Sequence, residues 1–250
     1  MLKNPMHRQV LILASAQALF QIVSVAVMTV GALAGATIAQ SPRWATLPIA
    51  TMFLGTAVMM FPASMWMARI GRRAGFLWGA ALGIAGGLVA ALGIWMASLT
   101  LLAIGTFLVG NYQAFAQYYR FAAAEVADEA FRPRAISLVL AGGVVAALAG
   151  PLLARLGGPL MQPEYLGSFL LMAIVSLIAA GVLLGVRVPA QAASTDSAEK
   201  GRPWRQIVFR PGYLVALFGA ATGYAIMILA MTATPIAMVQ HQHTLATAAT

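Results

Sequence analysis

The sequence contains no cysteine and few charged residues, and each absence excludes a class of protein. Without cysteine the chain forms neither disulfide bonds nor thiolate metal sites. Charged residues are 8% of the 250 residues and hydrophobic residues are 61%, whereas soluble domains carry roughly 25% charged residues. A surface that faces water needs more charge than this, but a surface that faces lipid does not. The composition therefore indicates a membrane protein.

Acidic side chains and histidines are absent from the interior of every long apolar stretch. The acids are Glu125, Asp128, Glu129, Glu164, Asp196 and Glu199, and the histidines are His7, His241 and His243. His241 and His243 lie two residues apart and would face different sides of a helix. The sequence also has no glycine-rich phosphate loop and no nucleophile constellation. We therefore expect no cofactor and no metal, and we do not expect an enzyme.

Seven apolar stretches are long enough to cross a bilayer, which takes about 20 residues of helix. They are residues 10–39, 46–68, 74–96, 99–123, 135–156, 167–188 and 213–239, called spans 1 to 7. Residues 189–210 are polar and poor in aliphatic side chains, as a flexible linker would be. The sequence thus predicts an all-α, polytopic bundle. Its parts are a six-helix unit (1–188), a linker (189–210) and one further helix (211–250).

Positive charge is distributed unequally between the two sides of these spans. Of the 15 lysines and arginines, all but Arg43 and Arg155 fall on the side of the amino terminus. Short cytoplasmic loops are rich in lysine and arginine, so we expect a cytoplasmic amino terminus and location in the inner (plasma) membrane. The net charge of +9 therefore belongs to loops at one membrane face, and it does not indicate a nucleic-acid partner.

The loop between spans 2 and 3 contains a recognisable motif. Residues 64–73 read Ser-Met-Trp-Met-Ala-Arg-Ile-Gly-Arg-Arg. This resembles the loop motif Gly-x-x-x-Asp-Arg-x-Gly-Arg-Arg of the major facilitator superfamily. The matching residues are Arg69, Gly71, Arg72 and Arg73. Ser64 and Ala68 replace the glycine and the aspartate, and the missing aspartate puts the family's charge network between its two halves in doubt.

A second motif lies in span 5, where residues 146–151 read Ala-Ala-Leu-Ala-Gly-Pro. It is similar to the Gly-x-x-x-Gly-Pro motif of exporters in that family, with alanine in place of the first glycine. The resemblance implies an exporter. The alternative for Gly150 and Pro151 is a kink with close helix packing.

Family members usually have 12 helices in two halves, so the resemblance covers only part of the family's plan. We expect a truncated gene product or fragment: an amino-terminal half and the first helix of the second. The resemblance implies a secondary transporter of a small organic solute that works by alternating access. The alternative is a truncated or non-transporting interaction protein. Because the core of no span carries a carboxylate or a histidine, proton or ion coupling would need helices absent from this chain.

Polar residues inside the spans are the candidates for a substrate cavity, and the resemblance implies that spans 1, 4 and 7 line it. Span 4 carries a stripe at helical spacing from Thr106 through Gly110 to Arg120. The candidates are Gln17, Gln21, Asn111, Gln113, Gln117, Arg120 and Tyr224. The alternative is hydrogen bonding between helices, and Arg120 has its own alternative of extending to the interface.

The loop of residues 125–134 carries both signs of charge on the side of Arg69, Arg72 and Arg73. One hypothesis is a set of salt bridges that closes the cytoplasmic side, with Asp128 and Glu129 as partners. The other is a solvated loop with weak surface pairs.

Overall fold

The fold was obtained as a computed structural model that describes residues 5–187 and 208–240. The chain divides into two compact units, Met1–Pro189 and Ala190–Thr250. Within the described residues every regular element is a helix, and seven segments are long and apolar enough to cross a membrane. This confirms the predicted all-α bundle of about seven spanning helices. Most of the predicted linker and both carboxy-terminal histidines lie outside the described residues.

The described part of the first unit contains seven α-helices. They are α1 (Pro5–Ile38), α2 (Leu47–Ile70), α3 (Arg72–Trp95), α4 (Leu99–Ala116), α5 (Tyr119–Val126), α6 (Arg132–Gly157) and α7 (Leu166–Leu183). Short 3-10 turns follow α1 and α6 at Pro42–Trp44 and Gly158–Leu160. Together α4 and α5 make one candidate span, Leu99–Val126. Helix α8 (Pro211–Gln240) belongs to the second unit and contains the candidate span Pro211–Ala230.

The turn between α2 and α3 is a single residue, Gly71, with a φ of +88°. A side chain at this φ would be strained, so glycine is the residue that allows so abrupt a reversal. The turn places Arg72 and Arg73 in the first turn of α3.

Helix α4 packs on α2 and α3, while α1 packs on α6 and α7. Lipid tails are as apolar as leucine side chains, so association in a bilayer depends on close packing and hydrogen bonds. Two glycines show this closeness. A Cβ atom at Gly110 would overlap the carbonyl oxygen of Met52, and one at Gly55 would overlap that of Phe107.

Four segments meet at one end of the first unit, which we call the basic end: the start of α1, the α2–α3 turn, the α5–α6 loop and the end of α7. Polar contacts join them. Gln9 bonds to Gly185, Arg72 to Glu125, and Arg73 to Leu184. The structure thus brings Arg72 and Arg73, two of the arginines that the alternation of spans assigns to one side, into contacts at this end.

Candidate functional site

The middle of the bundle contains four of the predicted amide side chains, which we call the amide layer: Gln17, Gln21, Asn111 and Gln113. Phe20 of α1 and Tyr112 of α4 make an edge-to-face contact with ring centroids 5.1 Å apart. All four amides lie within one helical turn of this contact along their own helix. Residues 21 and 112 lie near the midpoints of Pro5–Ile38 and Leu99–Val126, so the layer sits near the centre of both spans.

Three side chains of the amide layer are almost fully buried: Gln17, Asn111 and Gln113 are 6%, 5% and 7% exposed. The side-chain oxygens of Gln21, Asn111 and Gln113 accept no hydrogen bond from any described residue. A buried acceptor without a partner is costly. These oxygens are therefore placed to accept hydrogen bonds from a bound molecule or from water.

The four amides do not bond to one another within the described residues, and their surroundings differ. The Gln21 carboxamide lies beside Gly143 of α6. The Asn111 carboxamide lies beside Gly55 of α2. Gln21 of α1 therefore lies against a glycine of α6, and Asn111 of α4 lies against a glycine of α2.

Other polar residues of span 4 hold α4 against α2. The hydroxyls of Thr51 and Thr106 are hydrogen-bonded at 2.9 Å. Thr56 donates to the carbonyl of Gly110 at 3.0 Å, and Tyr118 donates to that of Met60 at 3.0 Å. Thr106, Gly110 and Tyr118 therefore take part in hydrogen bonds between helices, which was the alternative to a role in the substrate cavity.

The remaining predicted cavity residues are Gln117, Arg120 and Tyr224. Gln117 follows the end of α4 and is half-buried. Arg120 is exposed, and its guanidinium lies 5.0 Å from the centre of the Phe121 ring. Tyr224 is 53% exposed on α8 of the second unit. Four of the seven candidates therefore lie within one helical turn of the contact between Phe20 and Tyr112, along α1 and α4.

The loop-motif arginines make specific contacts at the basic end. Arg72 forms a salt bridge with Glu125, and its Nε atom donates to Oε2 at 3.2 Å. Its guanidinium also lies 5.9 Å from the centre of the Tyr118 ring. Arg73 donates to the carbonyl of Leu184 at 2.9 Å, whereas Arg69 is exposed. The motif thus ties α3 to the end of span 4 and to the end of α7.

Asp128 and Glu129, the acids named in the gate hypothesis, do not contact these arginines in the described structure. The Asp128 carboxylate accepts a hydrogen bond from the backbone N–H of Phe131 at 2.8 Å. Glu129 is exposed. Within the described residues the acid that pairs with the loop motif is therefore Glu125.

The Gly-Pro motif of span 5 lies in α6, where α6 crosses α1. A Cβ atom at Gly150 would lie 2.6 Å from a methyl carbon of Val25, closer than such atoms approach. Pro151 lies inside the helix. At Gly150, α6 therefore packs closely on α1.

Gln9 is a residue that sequence reasoning missed. It is 9% exposed; its side-chain nitrogen donates to the carbonyl of Gly185 at 3.4 Å, and its oxygen accepts from the backbone N–H of Arg187 at 2.7 Å. The side chain therefore caps the end of α7 from the first turns of α1. The sequence signal that could have pointed to Gln9 is an amide directly before an apolar stretch. Gln9 was not considered because it lies outside the predicted span that contains Gln17 and Gln21.

Comparison with known proteins gives two findings. The family profile of the Major Facilitator Superfamily matches residues 12–250. The chain is also 37% identical over 239 residues to a protein named riboflavin transporter RfnT from Brucella anthropi. That match covers 95% of this chain and 60% of the relative. Both names describe proteins of membrane transport and not enzymes.

Proposed function

Because the chain belongs to the major facilitator superfamily, we propose that the protein is a secondary transporter of a small organic solute that works by alternating access. The six-helix unit (1–188) rocks against a second bundle, of which residues 211–250 supply the first helix and residues 189–210 the cytoplasmic connection. The observation that carries the proposal is the amide layer. It places buried acceptors without partners at the middle of the spans, where transporters of this kind bind substrate.

The substrate that we propose is riboflavin or a closely related neutral flavin. The 37% identical relative is named for riboflavin. Riboflavin is uncharged and carries an imide N–H and several hydroxyls, which are donors for amide oxygens such as those of Gln21 and Gln113. The described spans place no carboxylate, lysine or arginine at the amide layer. An uncharged layer suits a neutral solute better than an ionic one.

Transport assays in liposomes test this proposal. The purified chain is reconstituted, and riboflavin movement is followed by its fluorescence. We expect protein-dependent movement of riboflavin and much slower movement of the phosphorylated flavin, because its dianion would enter an uncharged layer. If riboflavin neither moves nor binds, whereas the protein is monodisperse and folded, the substrate assignment is wrong.

The direction that we propose is export, on the basis of the Gly150–Pro151 motif. Vesicles of opposite orientation, prepared from cells that make the protein, separate the two directions. Accumulation of riboflavin in inside-out vesicles supports export. Accumulation only in right-side-out vesicles would show import instead. A dependence on an imposed proton or sodium gradient would identify the coupling ion.

We also propose that the basic end faces the cytoplasm in the inner membrane, since cytoplasmic loops are enriched in arginine and lysine. The absence of native cysteine makes this simple to test. A cysteine replaces Arg69 at the basic end, or Arg43 at the opposite end, and intact cells are treated with a membrane-impermeant maleimide. We expect labelling of the R43C protein only, and labelling of R69C would reverse the orientation.

A further inference from the structure

Two adjacent glycines of α6, Gly142 and Gly143, face α1 in different surroundings. At Gly142 a Cβ atom would lie 2.9 Å from the backbone nitrogen of Ala18, so the two helix backbones approach closely there. At Gly143 the three nearest atoms among the described residues all belong to the Gln21 side chain, and the nearest is Oε1 at 2.8 Å. The space that a Cβ atom would take at Gly143 is therefore bordered by a carboxamide and not by a helix backbone.

Close packing of the two helices does not account for glycine at position 143. A glycine inside a helix costs about 1 kcal/mol relative to alanine, so the position needs a reason for it. Gly143 lies within α6 and does not have a positive φ, so its backbone conformation does not require glycine. What glycine provides at this position is room for the Gln21 carboxamide.

The Gln21 carboxamide is placed by the shape of its surroundings. Its oxygen is buried and accepts no hydrogen bond from any described residue. A polar group that no hydrogen bond holds takes the position that its neighbours leave open, and here the neighbour is the bare backbone of Gly143. Because Gln21 belongs to the amide layer, this contact sets the position of one group in the proposed solute site.

We propose that Gly143 is a positioning residue for solute binding. It leaves room for the Gln21 carboxamide against α6 and so keeps this group out of the space that the solute takes. In Gly143→Ala the new Cβ atom would lie too close to Oε1, and the carboxamide would move away from α6. The proposal rests on the proposed transport function and adds to it a residue outside the amide layer.

A double-mutant cycle tests this role. Riboflavin binding to the purified whole chain in detergent is measured by riboflavin fluorescence for Gly143→Ala, for Gln21→Ala and for both together. We expect Gly143→Ala to weaken binding by about fivefold, as for coupled residues in contact. In the Gln21→Ala background the carboxamide is gone, so Gly143→Ala should weaken binding no further. The melting temperature of Gly143→Ala should stay the same or rise, because alanine favours a helix.

Two neighbouring substitutions serve as controls. Gly181→Ala on α7 adds a Cβ atom where nothing lies within 4 Å, and it should leave riboflavin affinity unchanged. Gly142→Ala places its Cβ atom against the backbone of α1. It should therefore lower the melting temperature whether or not Gln21 is present, which is the behaviour of a structural glycine.

A second measurement does not need riboflavin. Gln17 lies one turn before Gln21 on the same face of α1, and long side chains of a helix lean toward the preceding turn. The chain has no native cysteine, so Gln17→Cys supplies its single thiol. The rate at which a small maleimide labels this thiol reports the position of the Gln21 carboxamide. We expect Gly143→Ala to change the rate, and to leave it unchanged in a chain that also carries Gln21→Ala.

The outcomes separate this proposal from the proposed function. If the unmodified chain binds riboflavin, the proposal is overturned when Gly143→Ala leaves the affinity unchanged or weakens it equally with and without Gln21. If the unmodified chain does not bind riboflavin, the substrate assignment is wrong and the labelling comparison decides. A labelling change that requires Gln21 then supports the positioning role, and an unchanged rate overturns it.

Discussion

The α2–α4 contact and the amide layer both include residues of span 4, and they differ in one physical respect. At the α2–α4 contact, the hydroxyls of Thr106, Thr56 and Tyr118 all bond to the neighbouring helix. In the amide layer, the side-chain oxygens of Gln21, Asn111 and Gln113 have no such bond among the described residues. The residues of both regions are buried or half-buried. In the sequence, both regions are polar interruptions of apolar stretches.

The difference separates residues that hold the bundle together from residues that remain available to a solute. A hydroxyl that bonds across a helix contact contributes roughly 0.6–2 kcal/mol to association in a membrane. A buried carbonyl without a partner contributes nothing to stability and costs free energy until something donates to it. The comparison predicts that substitutions in the first region change stability, whereas substitutions in the second change transport.

The largest expected effect is at the α2–α4 contact itself. In Gly110→Leu the new side chain would overlap the backbone of Met52. We expect a loss of about 3 kcal/mol or more, because a backbone cannot move aside as a flexible side chain can. The measurement is the fraction of monodisperse protein after extraction and heating. Gly181→Leu is the matched control, since no atom lies within 4 Å of a Cβ there; equal losses in both variants would contradict the assignment.

The second effect is functional. Gln113→Leu keeps the approximate size of the side chain but removes an acceptor that has no partner in the described structure. We expect riboflavin transport to fall by about tenfold, the effect of losing about 1.4 kcal/mol of hydrogen bonding to a solute. The melting temperature should stay the same or rise. Unchanged transport together with a lower melting temperature would make Gln113 a structural residue like Thr106.

The reciprocal substitution, Thr106→Val, should have a smaller effect. Valine has nearly the shape of threonine but cannot bond to the Thr51 hydroxyl. We expect about 1 kcal/mol of lost stability and nearly unchanged transport. Scanning fluorimetry, which the five tryptophans make possible, measures the first, and the liposome assay measures the second. If Thr106→Val slows transport as much as Gln113→Leu does, the distinction between the two regions fails.

The smallest effect extends the comparison to charged groups at the basic end. Glu125 is half-buried and paired with Arg72, whereas Glu129 is exposed. We expect Glu125→Gln to lower stability by about 1 kcal/mol and to change the transport rate, since an ion pair shielded from water is screened less than an exposed one. The matched change Glu129→Gln should alter neither quantity. A Glu129→Gln effect at least as large as that of Glu125→Gln would instead support the gate hypothesis, in which Asp128 and Glu129 form the salt bridges.

Much of the fold was predictable because the bilayer imposes strong rules on sequence. All seven predicted spans correspond to described helices, with ends that shift by a few residues. The predicted start of span 1 at residue 10 lies five residues inside α1, because the polar first turn of α1 is not apolar enough to be counted. The break between α4 and α5 at Gln117 and Tyr118 was not predicted, since no proline or glycine marks it.

The candidate site was predictable only in part. Helical spacing assigned Thr106, Gly110 and Gln113 to one stripe on α4. Residues of one stripe do not all face the same neighbouring helix, so spacing alone did not show which of them would find a hydrogen-bond partner. Thr106 and Gly110 contact α2, and the Gln113 oxygen has no partner. Gln9 was missed because its partners, Gly185 and Arg187, lie more than 170 residues away in the chain. No local pattern reports a contact of that range.

The sequence by itself determined that the chain is a multi-pass membrane protein and which segments are long and apolar enough to cross, and TM-length helices are found at these segments in the described residues. These properties follow from composition and from the lengths of apolar runs, because the thickness and polarity of the bilayer act on each segment separately. Only the tertiary structure decided which polar side chains are satisfied. Whether a polar side chain is satisfied depends on which atoms of other helices come within hydrogen-bond distance. Thr106 has such a partner in Thr51, and the side-chain oxygen of Gln113 has none among the described residues, although the two residues lie only two turns apart on the same helix.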